Sequence, residues 1–234
     1  MMLIGGLEKS TLIDYPGKVA AIVFTVGCNF RCAFCHNPEL VDPEKIKKQP
    51  QITEEAFFKF LKSRKGLLEG VCITGGEPTI QSDLIDFIGK IKKDGFLVKL
   101  DTNGSHPKVL AKLLEKRLLD FIAMDIKSSK DKYPEAINKV INLEDISKSV
   151  DLIRSSSLDY EFRTTVVPDL IDDSEIKKIG EWLKGSKLFI LQQFRSNKTL
   201  DQSYQRVRPY PDKRLKQMAD IARPYFDQVK IRGL

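Results

Sequence analysis

At 234 residues, 41% hydrophobic and 30% charged, the chain has the composition of a folded protein with a sizeable core, which excludes a disordered or fibrous polypeptide. Lys and Arg number 39 against 32 Asp and Glu, a net charge of +7 that mostly alternates in sign along helical stretches and so marks solvated faces. Four cysteines are too few for a disulfide scaffold, residues 1–18 lack the features of a signal peptide, and the apolar run at 19–26 is far short of the roughly 20 residues of a membrane span; we read a cytoplasmic chain with no membrane partner.

β-rich runs predict strands near 19–26, 70–74, 96–101, 120–125, 159–167, 188–194 and 228–232. Amphipathic helices fall between most of them. One starts at the N-cap Thr53, one spans "QSDLIDFIGKIKKDG" up to a glycine stop, and one spans "HPKVLAKLLEKRLL". Later helices are expected in "LEDISKSVDLIRS", "DSEIKKIGEWLKG" and "PDKRLKQMADIARPYF", while residues 127–142 give no clear pattern. The β-then-α order argues for a parallel sheet, either doubly wound or a closed or partial (β/α) barrel.

The unusual residues follow the strands: Gly27 and Cys28 the first, "TGGEP" the second, "DTNG" the third, "MDIK" the fourth, "VVP" the fifth and "QQF" the sixth. Carboxyl ends converge on one mouth in a barrel, whereas an open sheet confines its site to one crevice, so six populated strand ends favour the barrel. We expect one domain over 1–234, with the core barrel at about 19–194 and a C-terminal helix and strand in 211–232.

"GCNFRCAFCHN" places Cys28, Cys32 and Cys35 at C-x3-C-x2-C spacing in a loop. Structural zinc uses four ligands, commonly in two separated pairs, and only His36, adjacent to Cys35, could complete a set locally. Cys72, in the apolar "VCIT", reads as a small buried hydrophobe. Three thiolates suit an iron–sulfur cube with one iron left open for a small molecule. On these residues the chain resembles the radical S-adenosylmethionine enzymes, whose hallmark is this spacing after the first strand of a partial barrel.

That resemblance implies an α/β fold, a partial (β/α)6 barrel of the radical S-adenosylmethionine type with short N-terminal and C-terminal extensions. It also implies a [4Fe-4S] cluster on Cys28, Cys32 and Cys35, and S-adenosylmethionine cleaved to a 5'-deoxyadenosyl radical. Phe34 resembles the aromatic residue near the adenine. "GGEP", with Gly75, Gly76 and Glu77, resembles the backbone motif that meets the methionine amino group. His36 and Asn37 belong to the same cofactor-binding set, as do Thr102, Asn103, Lys127, Arg163 and Gln193; a role for Gln192 is left open.

"LDTNG" and "MDIK" resemble the glycyl-radical activating branch, in which Asp101, Thr102 and Asp125 would match a monovalent cation site. Two carboxylates aimed at one mouth repel each other unless a cation or lysine lies between them. Residues 11–40 resemble the subgroup that activates anaerobic ribonucleoside-triphosphate reductase, which implies a glycyl-radical enzyme as partner and places Asp14 near the cluster and the incoming peptide. No arginine stands where well-known activating enzymes have a G-x-R pattern; Lys18 lies in that stretch.

Two alternatives stay open: a small-molecule enzyme similar to 7-carboxy-7-deazaguanine synthase, and an iron–sulfur redox sensor that binds nucleic acid. The one basic concentration, residues 195–216, sets Arg195, Lys198, Arg206, Arg208, Lys213, Arg214 and Lys216 against Asp201 and Asp212. With Tyr204 and Tyr210 interleaved it could bind nucleic acid, an acidic electron donor such as flavodoxin or ferredoxin suits it equally well, and a plain solvated surface stays open beside both.

Overall fold

Strands rich in Val, Ile and Phe pair in parallel here because helical crossovers return the chain to the same end of the sheet each time. The computed structural model describes residues 2–234 and contains one eight-stranded sheet ordered β1 to β8. These strands are β1 (Ile4–Thr11), β2 (Ala20–Thr25), β3 (Gly70–Gly75), β4 (Leu97–Thr102), β5 (Phe121–Asp125), β6 (Asp159–Val166), β7 (Ser186–Gln193) and β8 (Phe226–Arg232). From β2 to β8 every pairing is parallel; β1 pairs β2 antiparallel. The sheet order ends at β1 and β8 without a pairing between them, so the barrel is open along that side.

The helices are α1 (Pro38–Val41), α2 (Pro43–Ile46), α3 (Glu54–Ser63), α4 (Leu84–Lys93), α5 (Pro107–Glu115), α6 (Tyr133–Ile137), α7 (Leu143–Ser155), α8 (Asp173–Leu183) and α9 (Asp212–Ala222). Side chains fix several starts: Thr53 accepts from Ala56 N at 3.1 Å at the start of α3, and Asp172 accepts from Glu175 N at 2.9 Å at α8. Phe57, Phe58 and Phe87 interlock with centroids 5.1 to 5.4 Å apart where α3 meets α4.

All seven expected strands form, with ends shifted by one or two residues. β1 was not expected. Its sequence, "IGGLEKST", opens with two glycines and closes on polar residues, so its strand character comes from pairing with β2 rather than from propensity. The patternless 127–142 stretch holds the short α6, which begins on Tyr133-Pro134 and ends with Asn138 in the left-handed conformation.

Strand alternation sorts the side chains. Val71, Ile73, Val98, Leu100, Ile122, Met124, Phe162 and Leu191 join the main core. The opposite faces carry Cys72, Lys99, Asp101, Asp125, Glu161 and Arg163 inside the barrel, where hydrogen bonds and ion pairs replace apolar packing. Tyr15, Ala20, Phe121 and Ala123 make a small separate cluster, with Ala20 and Phe121 the first residues of β2 and β5 and Ala123 level with Asp101 and Glu161. Polar groups run along the barrel interior from Lys99, level with Phe121 at the start of β5, up to Asp125 at its end, below the loops that follow the strands.

Candidate active site

A cavity of about 320 Å³ opens at the carboxyl ends of the strands. Cys28, Cys32 and Cys35 all line it, on the loop that leaves β2. That loop is held in shape by its own backbone. Arg31 folds back to donate to the carbonyls of Cys28 and Phe30 at 2.5 and 2.7 Å, while its N–H bonds Ile137 O of α6 at 2.9 Å. Cys35 N closes a turn onto Cys32 O at 3.0 Å.

None of the three thiols is in a disulfide. Burial pushes Cys28 to about 11 and Cys32 to about 12, and raises Cys35, while the Lys127 ammonium pulls all three back toward the thiolate. The three sheltered sulfurs line one cavity with the Lys127 ammonium, a soft donor set that would bind an iron cluster by giving up its thiol protons.

Gly75 and Gly76 join this loop to the next. Gly76 N donates to Thr25 O at 2.9 Å and Glu77 N to Gly27 O at 2.8 Å. A β-carbon on Gly76 would overlap the Gly27 carbonyl, and Gly75 adopts φ of +115°. The loops after β2 and β3 therefore touch backbone to backbone, which only glycine permits. Asn37 Nδ2 donates to Gly75 O at 3.3 Å across the same seam.

Glu77 is 1% exposed and turns away from the solvent side of the cavity. It accepts from Thr102 Oγ1 at 2.7 Å, Asn103 N at 2.7 Å and Thr79 N at 3.1 Å. Burial raises its carboxyl despite these donors. Through Glu77 the loops after β3 and β4 become one unit, and Asn103 extends it by donating to Asn29 at 3.0 Å beside Cys28.

The carboxylate pair is bridged by arginine. Arg163 Nε donates to Asp125 Oδ1 at 2.8 Å, and its NH1 donates to Asp101 Oδ2 at 3.1 Å. Lys99 pairs with Asp101, and Lys127 with Asp125 at 3.1 Å. Burial would raise both carboxyls, but Arg163 and the two lysines outweigh it and hold them below the usual range. Thr102, one residue along the strand, points to the other side and bonds Glu77. The expected cation ligands Asp101, Thr102 and Asp125 all line the cavity, with the Thr102 hydroxyl engaged by Glu77 and Arg163 supplying the charge between the two aspartates.

Other expected residues are placed as follows. Phe34 and His36 line the cavity; the Phe34 ring lies 6.4 Å from Tyr204, and His36 Nδ1 is 3.1 Å from Lys198 O. Gln193 does not face the cavity: alternation turns Gln192 inward, and Gln193 Nε2 donates outward to Tyr210 O at 2.7 Å. Asp14 lines the same cavity from the opposite end. Its turn follows Thr11, which pairs with Ala20 at the start of β2, while Cys28 follows the last residue of that strand. Six residues of strand, about 20 Å, separate the two. Asp14 is therefore not beside the cluster loop; its carboxylate accepts from Thr11 Oγ1 at 2.5 Å.

Sequence reasoning missed Lys99, Thr165, Glu161 and Arg232. Lys99 and Glu161 are polar residues at inward positions of otherwise apolar strands, a signal that the strand period alone could have exposed.

A family model, the radical SAM superfamily, matches residues 22–183. The chain belongs to the radical SAM superfamily. It is 33% identical over 237 residues to "Putative glycyl-radical enzyme activating enzyme MJ1227" of Methanocaldococcus jannaschii, covering 99% of this chain and 96% of that protein. It is 27% identical over 190 residues to the pyruvate formate-lyase 1-activating enzyme of Escherichia coli K12, covering 77% of this chain and 74% of that one.

Among solved structures, SuiB of Streptococcus suis bound to precursor peptide SuiA shares the fold with a TM-score of 0.68 at 13% identity, over 91% of this chain. This chain spans 48% of that one. This radical SAM chain is an enzyme homologous to the glycyl-radical enzyme activating enzymes, and the cofactors of its family are a [4Fe-4S] cluster and S-adenosylmethionine. No helix among the described residues is long and apolar enough to cross a membrane.

Proposed function

We propose that this enzyme removes a hydrogen atom from a glycine α-carbon of a partner protein, leaving that protein with a stable glycyl radical. The observation that carries this reading is the convergence on one cavity of three free thiols, the Gly75–Glu77 seam, Lys127 and Arg163, in a barrel with an open side. Homology to activating enzymes over 99% of the chain supports it. Bound, the cluster and S-adenosylmethionine supply one electron and a primary carbon radical, with methionine as the leaving group.

The chain's own residues do the rest. Cys28, Cys32 and Cys35 would hold the cluster and leave one iron open. The Gly75–Gly76 backbone and Asn37 would meet the amino-acid end of S-adenosylmethionine, with Lys127 placed for its carboxylate. Phe34, itself buried, and the barrel wall would keep water from the bound group. With the group bound, the glycine α-hydrogen would pass to the cofactor, and the unpaired electron would stay on the glycine between two conjugating peptide groups.

The partner we favour is an anaerobic ribonucleoside-triphosphate reductase, on the resemblance of residues 11–40. Mixing the reduced, cofactor-loaded enzyme with such a reductase should produce the electron spin resonance doublet of a glycyl radical, coupled to the remaining α-hydrogen. Formation of 5'-deoxyadenosine with no protein radical in the reductase would refute this partner.

A further inference from the structure

The cavity has a second wall that the cofactor reading leaves unused. Thr165 on β6 pairs in register with Gln192 on β7, and Gln192 with Arg232 on β8. In-register neighbours in a parallel sheet point to the same face, and all three side chains line the cavity. They form one polar row on the side away from the cysteine loop and the Gly75–Glu77 seam, ending on β8 at the lip of the open side.

The chemistry of this row is specific. Neither the Thr165 hydroxyl nor the Gln192 amide bonds a protein group among the described residues, so both are available. Arg232 is different: its NH1 and NH2 each donate to Glu161 at 3.0 Å, and Glu161 is 1% exposed. The row therefore offers donors and acceptors but no surplus positive charge. An anionic small molecule would need unpaired cations, whereas an uncharged chain of amides presents one donor and one acceptor per residue and matches a hydroxyl and a carboxamide. Three side chains at strand spacing span about 10 Å, the length of about three extended residues.

We propose that Thr165 and Gln192, with Arg232 fixed by Glu161, hold the peptide backbone around the target glycine as it enters between β8 and β1. This rests on the glycyl-radical reading above and names the residues that determine its substrate. The hydrogen transfer is the one already balanced; the row orients the glycine and takes no part in bond making.

The test uses an uncharged heptapeptide, N-acetylated and C-amidated, with a central α-dideuterated glycine. It reads the fraction of 5'-deoxyadenosine that carries deuterium, by mass spectrometry, at equal cluster content. With the wild-type enzyme deuterium should appear. In Gln192→Ala and Thr165→Val the fraction at sub-saturating peptide should fall about tenfold, should recover at saturating peptide, and should return with Thr165→Ser. Arg232 is left intact because its removal would strand the buried Glu161 and threaten folding.

Variants that match the wild type within twofold, or that stay low at every peptide concentration, would overturn the assignment of this row while leaving the glycyl-radical reading intact. Absence of deuterium transfer by the wild type would overturn the reading itself, and the assignment with it.

Discussion

Arg163 governs the electrostatics of the cavity floor. Its guanidinium touches Asp125 at 2.8 Å and Asp101 at 3.1 Å, and lies 3.7 Å from the buried Glu161, so one planar cation on β6 ties together side chains of β4, β5 and β6. Alanine at this position leaves carboxylates facing one another with only Lys99 and Lys127 to offset them. Removing one partner of a buried pair costs about 3–5 kcal/mol, so Arg163→Ala should lower the unfolding free energy by about 3 kcal/mol in urea, and Arg163→Lys by clearly less. A midpoint for the alanine variant equal to that of the wild type would show that the network does not stabilise the fold. The paired aspartates were legible in the sequence, and so was the need for a positive charge between them. Which group supplies that charge was not, because it depends on how an arginine two strands away is registered.

At the scale of elements, the loop that carries Lys127 is pinned from α8. Glu175, whose side chain is 2% exposed, accepts from Ser128 Oγ at 3.1 Å and Ser129 N at 3.3 Å, and Lys178 lies 3.5 Å away. Burial would raise this carboxyl, but Ser129, Ser128 and the nearby Lys132 outweigh it and hold it below the ordinary glutamate value. A depressed folded value gives stability that is complete above the unfolded value and is lost as the pH falls through the folded one. Glu175→Gln should therefore destabilise the protein by about 1–3 kcal/mol at pH 7, with the gap to wild type narrowing as the pH falls below the ordinary glutamate value. Urea titrations followed by the fluorescence of Trp182 on α8 check this, and a gap independent of pH would contradict it.

Elements were read from the sequence where hydrophobic period and caps agreed, as at Thr53 and in the seven parallel strands. They were missed where structure depends on a neighbour. β1 exists through its pairing with β2, and the Gln192/Gln193 choice turns on a parity that shifts by one residue with the strand's start.

Across the whole molecule, the basic segment between β7 and α9 lies against the cluster loop. Asp201 N donates to Ala33 O at 2.9 Å, between Cys32 and Cys35, and Tyr204 packs on Phe34. Arg206 and Arg208 stand exposed on this segment. If an acidic donor docks there, Arg206→Glu with Arg208→Glu should slow cluster reduction by flavodoxin hydroquinone about tenfold or more at low salt, while reduction by dithionite keeps its wild-type rate. Equal slowing by both reductants, or by neither, would rule out this docking surface. The resemblance of the cysteine loop pointed to the barrel and its cofactors from the sequence, but it could not show that a strap from the far end of the chain covers the loop.

The central claim is that three sulfurs from one loop hold a cluster whose remaining iron is free to take S-adenosylmethionine. Electron spin resonance of the anaerobically reconstituted, dithionite-reduced protein, recorded with and without S-adenosylmethionine, tests it most directly. The account predicts a [4Fe-4S] signal that changes when S-adenosylmethionine is added, with methionine and 5'-deoxyadenosine formed in equal amounts. A protein that takes up zinc alone, or a cluster signal that S-adenosylmethionine leaves unaltered, would contradict it.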